Sequence, residues 1–182
     1  MSSKEVITAA LLEKISGIQR RDLQPQIAYR AQTRLVRGLR CAANVREFPT
    51  FFVDEPHDLG GEDTSANSME LLLVALGTCQ EIIFSAYAAV MGIPLDAVSV
   101  NVKGLLDIRG MLAMDESIVS GYQHVAYETM IESSADCEAI RKLVSAVENH
   151  CPILDTLRRP IEVVGSVFLN GESLDINLKN AA

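Results

Sequence analysis

Four thiols have the widest chemical reach in this chain of 182 residues: Cys41, Cys79, Cys137 and Cys151. A thiolate is both a nucleophile and a metal ligand, so the first question is which of these chemistries the spacing permits. The four lie far apart in a chain long enough to build its own core, and there is no CxxC, which excludes a small disulfide-stapled scaffold. Structural zinc needs four thiolate or imidazole ligands, usually as two close pairs. Only His150 and Cys151 are adjacent, with His57 and His124 isolated, so no metal is expected. The acidic run Asp54-Glu55-Pro56-His57-Asp58-Leu59-Gly60-Gly61-Glu62-Asp63-Thr64 lacks the spacing of an EF-hand and reads as a solvated loop. Two readings of the cysteines stay open: small packed hydrophobes, or sulfurs that react.

The elements that would carry them follow from periodicity. Ser65 or Asn67 can cap a helix beginning near Ser68, Glu70 suits its first turn, and Gly92 with Pro94 stops it. Its polar members Glu70, Thr78, Glu81 and Ser85 form a narrow stripe, while leucines, isoleucines and valines cover most of the circumference. Such a helix must be buried on several sides. One small sheet covers one side, so a second subunit is expected on another, most simply in a twofold dimer. Cys151 continues the apolar face of a second helix, marked by Ile140, Leu143, Val144 and Val147 behind Ser133 or Ser134 as cap. Cys151-Pro152 then opens a short helical piece through about Leu157, because proline is accepted in a first turn.

The remaining segments favour strands: a meander from Ile27 to Val53, a pair from Val98 to Ile108 and Tyr122 to Glu132, and a last strand from Ile161 to Leu169 before a polar tail. Residues 1–27 read as an N-terminal arm with a helix from Lys4 to about Gly17, and residues 28–182 as one α+β domain. The 24 acidic residues outnumber the 16 basic ones for a net charge of −8, without a basic run, which argues against nucleic acid as a partner. A mean hydropathy of +0.18 indicates surplus apolar surface that meets another chain. No stretch of spanning length is free of polar groups, which disfavours a membrane helix, and the N-terminus lacks the pattern of a secretory signal. The expected location is cytoplasmic.

Several blocks together are similar to one family. Asp54-Glu55-Pro56, Leu59-Gly60-Gly61, Asn67-Ser68-Met69-Glu70-Leu71-Leu72, Leu76-Gly77-Thr78-Cys79, Gly92-Ile93, Val98-Ser99-Val100 and Cys151-Pro152-Ile153-Leu154-Asp155-Thr156-Leu157 resemble, in this order, the OsmC and organic hydroperoxide reductase family. The resemblance runs from about Tyr29 to Leu169. It implies antiparallel sheets around a long buried central helix, an intertwined homodimer, and an interfacial active site with two cysteines. By matching motif these are Cys79 and Cys151.

The implied activity is a thiol-dependent peroxidase that reduces small apolar organic hydroperoxides, needs no cofactor, and is returned to its reduced state by an external dithiol. Cys79 sits about three turns inside its helix, where the dipole gives little help, so a peroxidatic thiol there requires a nearby cation or hydrogen-bond donor. Reductases of the family use an arginine in the N-terminal hairpin held by a glutamate at the start of the central helix. Arg37 lies at about the matching distance before Gly60-Gly61, with Arg40 close behind, and Arg37 is the choice; but Met69 occupies the glutamate position and Glu70 follows one residue later, about 100° round the helix. This departure resembles a less characterised OsmC-like branch. It leaves two alternatives beside the peroxidase: a non-catalytic module binding a small ligand, and a dithiol redox sensor.

Overall fold

A computed structural model describes residues 3–174. Helix α1, Ser3–Gln19, lies along the central helix. The meander follows as strands β1 (Gln32–Arg37), β2 (Arg40–Asn44) and β3 (Phe51–Val53), antiparallel in that order. The reversal between β1 and β2 uses Gly38 at φ +54°, a conformation glycine adopts without steric cost. The first strand starts at Gln32; Ile27 to Ala31, expected to be strand, is irregular.

The central helix α2, Ser68–Met91, begins with a full capping box. Asn67 Oδ1 accepts from the Glu70 N–H at 2.8 Å, and Glu70 Oε2 accepts from the Asn67 N–H at 2.9 Å. Gly92, at φ +71°, returns its N–H to the last turn and ends the helix. Strands β4 (Ala97–Leu106) and β5 (Tyr122–Glu132) form an antiparallel ribbon whose inward residues alternate with outward ones, and β4 packs on α2. A short helix, α3 (Ile108–Met111), interrupts the link between them. Helix α4 is Cys137–His150, α5 is Pro152–Arg158, and β6 (Val167–Leu169) pairs with β7 (Glu172–Leu174).

Two further expectations are corrected. The cap of α4 is Asp136, whose carboxylate accepts from the Ala139 N–H at 2.8 Å. The Ser133 hydroxyl is engaged elsewhere, donating to the Pro94 carbonyl and accepting from the Ala135 N–H. The last strand is also shorter than expected. Asn170 and Gly171, both at positive φ, turn the chain into a small hairpin with β7 where a polar tail was expected, and residues 175–182 lie outside the described part.

Two apolar clusters hold the core. Phe84, Ala88 and Ile93 meet Leu143 and Val147 between α2 and α4. Nearer the middle of α2, Leu76 packs with Cys151 and Leu154, bordered by Cys79, Val102, Val125, Tyr127 and Ile153. Gly77 brings α2 close to β4: a Cβ there would stand 3.3 Å from Val102 Cγ2. By length and a mean hydropathy of 1.6 over its most apolar 18 residues, α2 meets a composition test that membrane-crossing helices and central core helices share. In the fold it is instead the central helix, and its polar side chains are used inside the protein, Glu81 accepting from the Val100 N–H at 3.1 Å. The chain itself covers only part of it. Val74 is 53% exposed and Ile82 66% exposed.

Candidate active site

Cys79 stands near the middle of α2 and Cys151 at the single-residue joint between α4 and α5. They are 72 positions apart in sequence, yet their sulfurs lie 3.5 Å apart with Cys151 Sγ donating toward Cys79 Sγ. Both are free thiols. Cys151 is 1% exposed, whereas Cys79 is half-buried and is the sulfur a solute can approach. Burial pushes the Cys151 thiol up from its ordinary 9.0, and the hydrogen bond and charge of Cys79 push the same way. The N–H groups of Leu154 and Ile153 face the sulfur and offset part of that rise. The proton therefore stays on Cys151, aimed at its neighbour.

A polar group lies beside this pair inside the apolar cluster. Gln80, directly after Cys79, is 1% exposed; its side chain lies near enough to the Tyr127 hydroxyl to oppose the rise of that phenol, and among the described residues its Oε1 has no partner. An unsatisfied buried carbonyl costs about 1–3 kcal/mol. Tyr127 donates its hydroxyl proton to Glu148, and Arg158 Nη2 donates to Glu148 Oε2 at 2.8 Å and to the Tyr127 oxygen at 3.4 Å. Burial raises the Tyr127 phenol above 10.0, and donation to the Glu148 carboxylate adds to the rise. Sequence reading missed these four residues. Gln80 carries the signal that could have found it: it is a lone amide about 100° off the polar stripe that includes Glu81.

Arg37 is placed elsewhere. It ends β1, stays exposed, and its guanidinium bonds the carboxylate of Glu62. Glu62 is held by a built loop. Asp54, 1% exposed, accepts from the N–H groups of Glu55, Glu62 and Thr64 and from the Thr64 hydroxyl. Burial opposes its ionisation, but these hydrogen bonds outweigh it and hold the carboxyl below its ordinary 3.8. At Gly61 a side chain would start 1.7 Å from the Glu55 carbonyl oxygen, so the loop closes only around glycine. The carboxylate on Arg37 thus comes from the loop before α2. Glu70, the nearest match to the family's helix-start glutamate, is committed to the cap of α2. The structure brings Cys79 and Cys151 together within one chain and places Arg37 with Glu62.

A groove of about 260 Å³ runs between α2 and β4, lined by Leu73, Val74, Gly77, Thr78, Val100 and Val102 among others. Neither sulfur lines it. Among the described residues no cluster of histidine, cysteine and carboxylate could hold a metal ion.

Known proteins supply a frame for this geometry. The sequence model described as OsmC-like protein matches residues 61–164, more than half of the chain. The chain matches no curated protein. Among solved structures it is similar to an OsmC-like protein from Mycoplasma pneumoniae, at 18% identity and a TM-score of 0.63, over 73% of this chain and 89% of that one. An organic hydroperoxide resistance protein OsmC from Legionella pneumophila aligns at 21% identity and a TM-score of 0.57, over 74% and 92% of the two chains. A third, an organic hydroperoxide resistance protein from Vibrio cholerae with captopril in one of its active sites, aligns at 19% identity and 0.53, over 84% and 99%. At these identities the likeness is one of fold.

Proposed function

The chain belongs to the OsmC family, and from that premise we propose that it is a thiol-dependent peroxidase reducing organic hydroperoxides to alcohols through a Cys79–Cys151 cycle. The observation that carries the reading is the 3.5 Å separation of two free sulfurs inside one chain. The organic hydroperoxide resistance proteins of the same fold support it.

In this reading the roles follow the difference in exposure. Cys79, the reachable sulfur, attacks as thiolate the terminal oxygen of ROOH; the O–O bond breaks, sulfur is oxidised to S–OH, and RO⁻ leaves and takes a proton to become the alcohol. Cys151, sealed from substrate, keeps its proton until Cys79 carries the hydroxyl. Its sulfur then displaces that hydroxyl, which leaves as water with the Cys151 proton, and the disulfide forms. An external dithiol reverses the oxidation by exchange and is itself oxidised to a disulfide.

Arg37 supplies positive charge in this reading. The sheet that carries it packs mainly on its own strands, and α2 keeps apolar residues uncovered, so the reading places Arg37 of one protomer over the thiol of another in a homodimer. The apolar crevice so formed suits an alkyl hydroperoxide. The competing reading, a non-catalytic ligand-binding protein or dithiol sensor, is favoured by the commitment of Glu70 to a helix cap.

Reduced protein with excess dithiol is expected to consume cumene or tert-butyl hydroperoxide. Cys79→Ser removes turnover, and Cys151→Ser accumulates a sulfenic acid that a 1,3-diketone traps. Undiminished peroxide loss in Cys79→Ser rejects the reading. A small molecule retained through purification, with no turnover by any dithiol, replaces it with the binding role.

A further inference from the structure

Cys151 is the only residue between two helices. Its N–H closes the last turn of α4 onto the Val147 carbonyl at 2.9 Å, and its own carbonyl accepts the Asp155 N–H of α5 at 3.0 Å. With φ −73° and ψ 114° it is extended, so the angle between α4 and α5 turns on the residue that carries the sulfur. The N–H groups of Leu154 and Ile153 face Sγ from the first turn of α5, but how the joint as a whole sits against α2 depends on the elements around it.

We infer that Gln80, Tyr127, Glu148 and Arg158 form a clamp that positions Cys151 against Cys79 and thereby sets how readily the pair closes into a disulfide. Arg158 of α5 bonds Glu148 of α4, bridging the joint three residues before and seven after the cysteine. Tyr127 of β5 packs beside Cys151 and Leu154 and donates to the same carboxylate, which ties the bridged joint to the ribbon. Gln80 of α2, buried next to Cys79, approaches Tyr127 beside the packed cluster of Leu76, Cys151 and Leu154, which ties the joint to the helix of the other sulfur. A surface ion pair alone would contribute little. Here the pair is one link in a chain that ends beside each cysteine, and its effect is orientation.

These are positioning residues; none is required to touch a hydroperoxide. The inference gives the peroxidase reading a basis for its second step and is testable without peroxide. Sulfurs must move from 3.5 Å to a bond of about 2.05 Å, and a loosened joint lowers the fraction of time they are poised to do so. In a mixture of reduced and oxidised glutathione the balanced reaction is two protein thiols plus one glutathione disulfide giving the protein disulfide plus two glutathiones.

The experiment takes the full chain through a series of glutathione ratios, quenches free thiols, and reads the Cys79–Cys151 disulfide by mass. Tyr127→Phe, which removes one hydroxyl, is expected to lower the closure constant about tenfold, a shift of about 30 mV. Arg158→Met is expected to do the same, and Arg158→Lys to recover part of the loss. Initial alkylation of Cys79 by iodoacetamide should change less than about twofold in all three. Because Arg158 is half-exposed, its variants keep the test open should Tyr127→Phe fold poorly. Closure constants within twofold of wild type in both Tyr127→Phe and Arg158→Met overturn the clamp while leaving the peroxidase reading intact. A wild-type protein that never forms this disulfide overturns both.

Discussion

Around Leu143 and Val147 the helices α2 and α4 shut out solvent almost completely, whereas on β1–β3 the side chains of Leu35, Phe51 and Phe52 stand open. The two regions also differ in charge: from Gln32 to Val53, Arg34, Arg37, Arg40 and Arg46 face only one acid, Glu47, in a chain that is acidic overall. The face of α2 toward α4 and α5, where Cys151 is sealed, is finished by the chain's own residues. The sheet that holds Arg37 is not, and its apolar side chains match the uncovered leucine, valine and isoleucine positions of α2. Under the proposed function, an intrachain sulfur pair and a cation on an unfinished sheet would make thiol exchange a property of one chain and activation toward peroxide a property of two.

The sharpest way to break this contrast is Ile82→Asp. On an isolated chain an exposed side chain tolerates substitution within about 0.5 kcal/mol. Buried against a partner, the same carboxylate is expected to weaken association by several kcal/mol. Sedimentation should show a folded monomer that retains Cys79–Cys151 closure and has lost peroxide turnover.

Next in size is Arg37→Ala, expected to reduce kcat/KM for hydroperoxide about 100-fold, within the range of a lost charge stabiliser, with the glutathione closure constant unchanged. Equal effects on both would place Arg37 on the sulfur pair itself. Asp54→Asn should act through the loop, lowering turnover less than Arg37→Ala does while raising amide exchange at Glu62 and Thr64. The sign of its pH effect follows from its lowered carboxyl. Asp54 contributes stability above about pH 4 that is lost as pH falls through the folded value, so acid melts of Asp54→Asn should be flatter than wild type.

The smallest effect concerns Cys151. Its raised thiol contributes stability that is whole below the ordinary value of 9.0 and is lost as pH climbs toward the folded value. The slope of Tm against pH above 9 should be shallower in Cys151→Ala than in wild type when both are reduced.

Much of this was legible in the residues. The period of Ile140, Leu143 and Val147, the stop at Gly92 and the Pro152 start fix α4, the end of α2 and α5, because each is a local signal. The cap of α4 was misread since Ser133, Ser134 and Asp136 are all competent and only tertiary bonding to Pro94 removes Ser133. Asn170-Gly171 was a visible hairpin signal that the short flanking strands obscured. Matching motifs named the cysteines, but no spacing could state that 72 positions close to 3.5 Å. Gln80, Tyr127, Glu148 and Arg158 come from four elements, and a network of that kind has no period to read.

The long stretch of chain between the two sulfurs gives oxidation a thermal signature. Joining residues 72 positions apart removes loop-closure entropy from the unfolded ensemble worth about 4 kcal/mol by the chain-entropy relation. For a domain of this length that raises the melting temperature by roughly 10 °C. Each turn of the cycle would then alternately stiffen and slacken the molecule, so heat or a protease would remove reduced copies first and spare those caught mid-reaction.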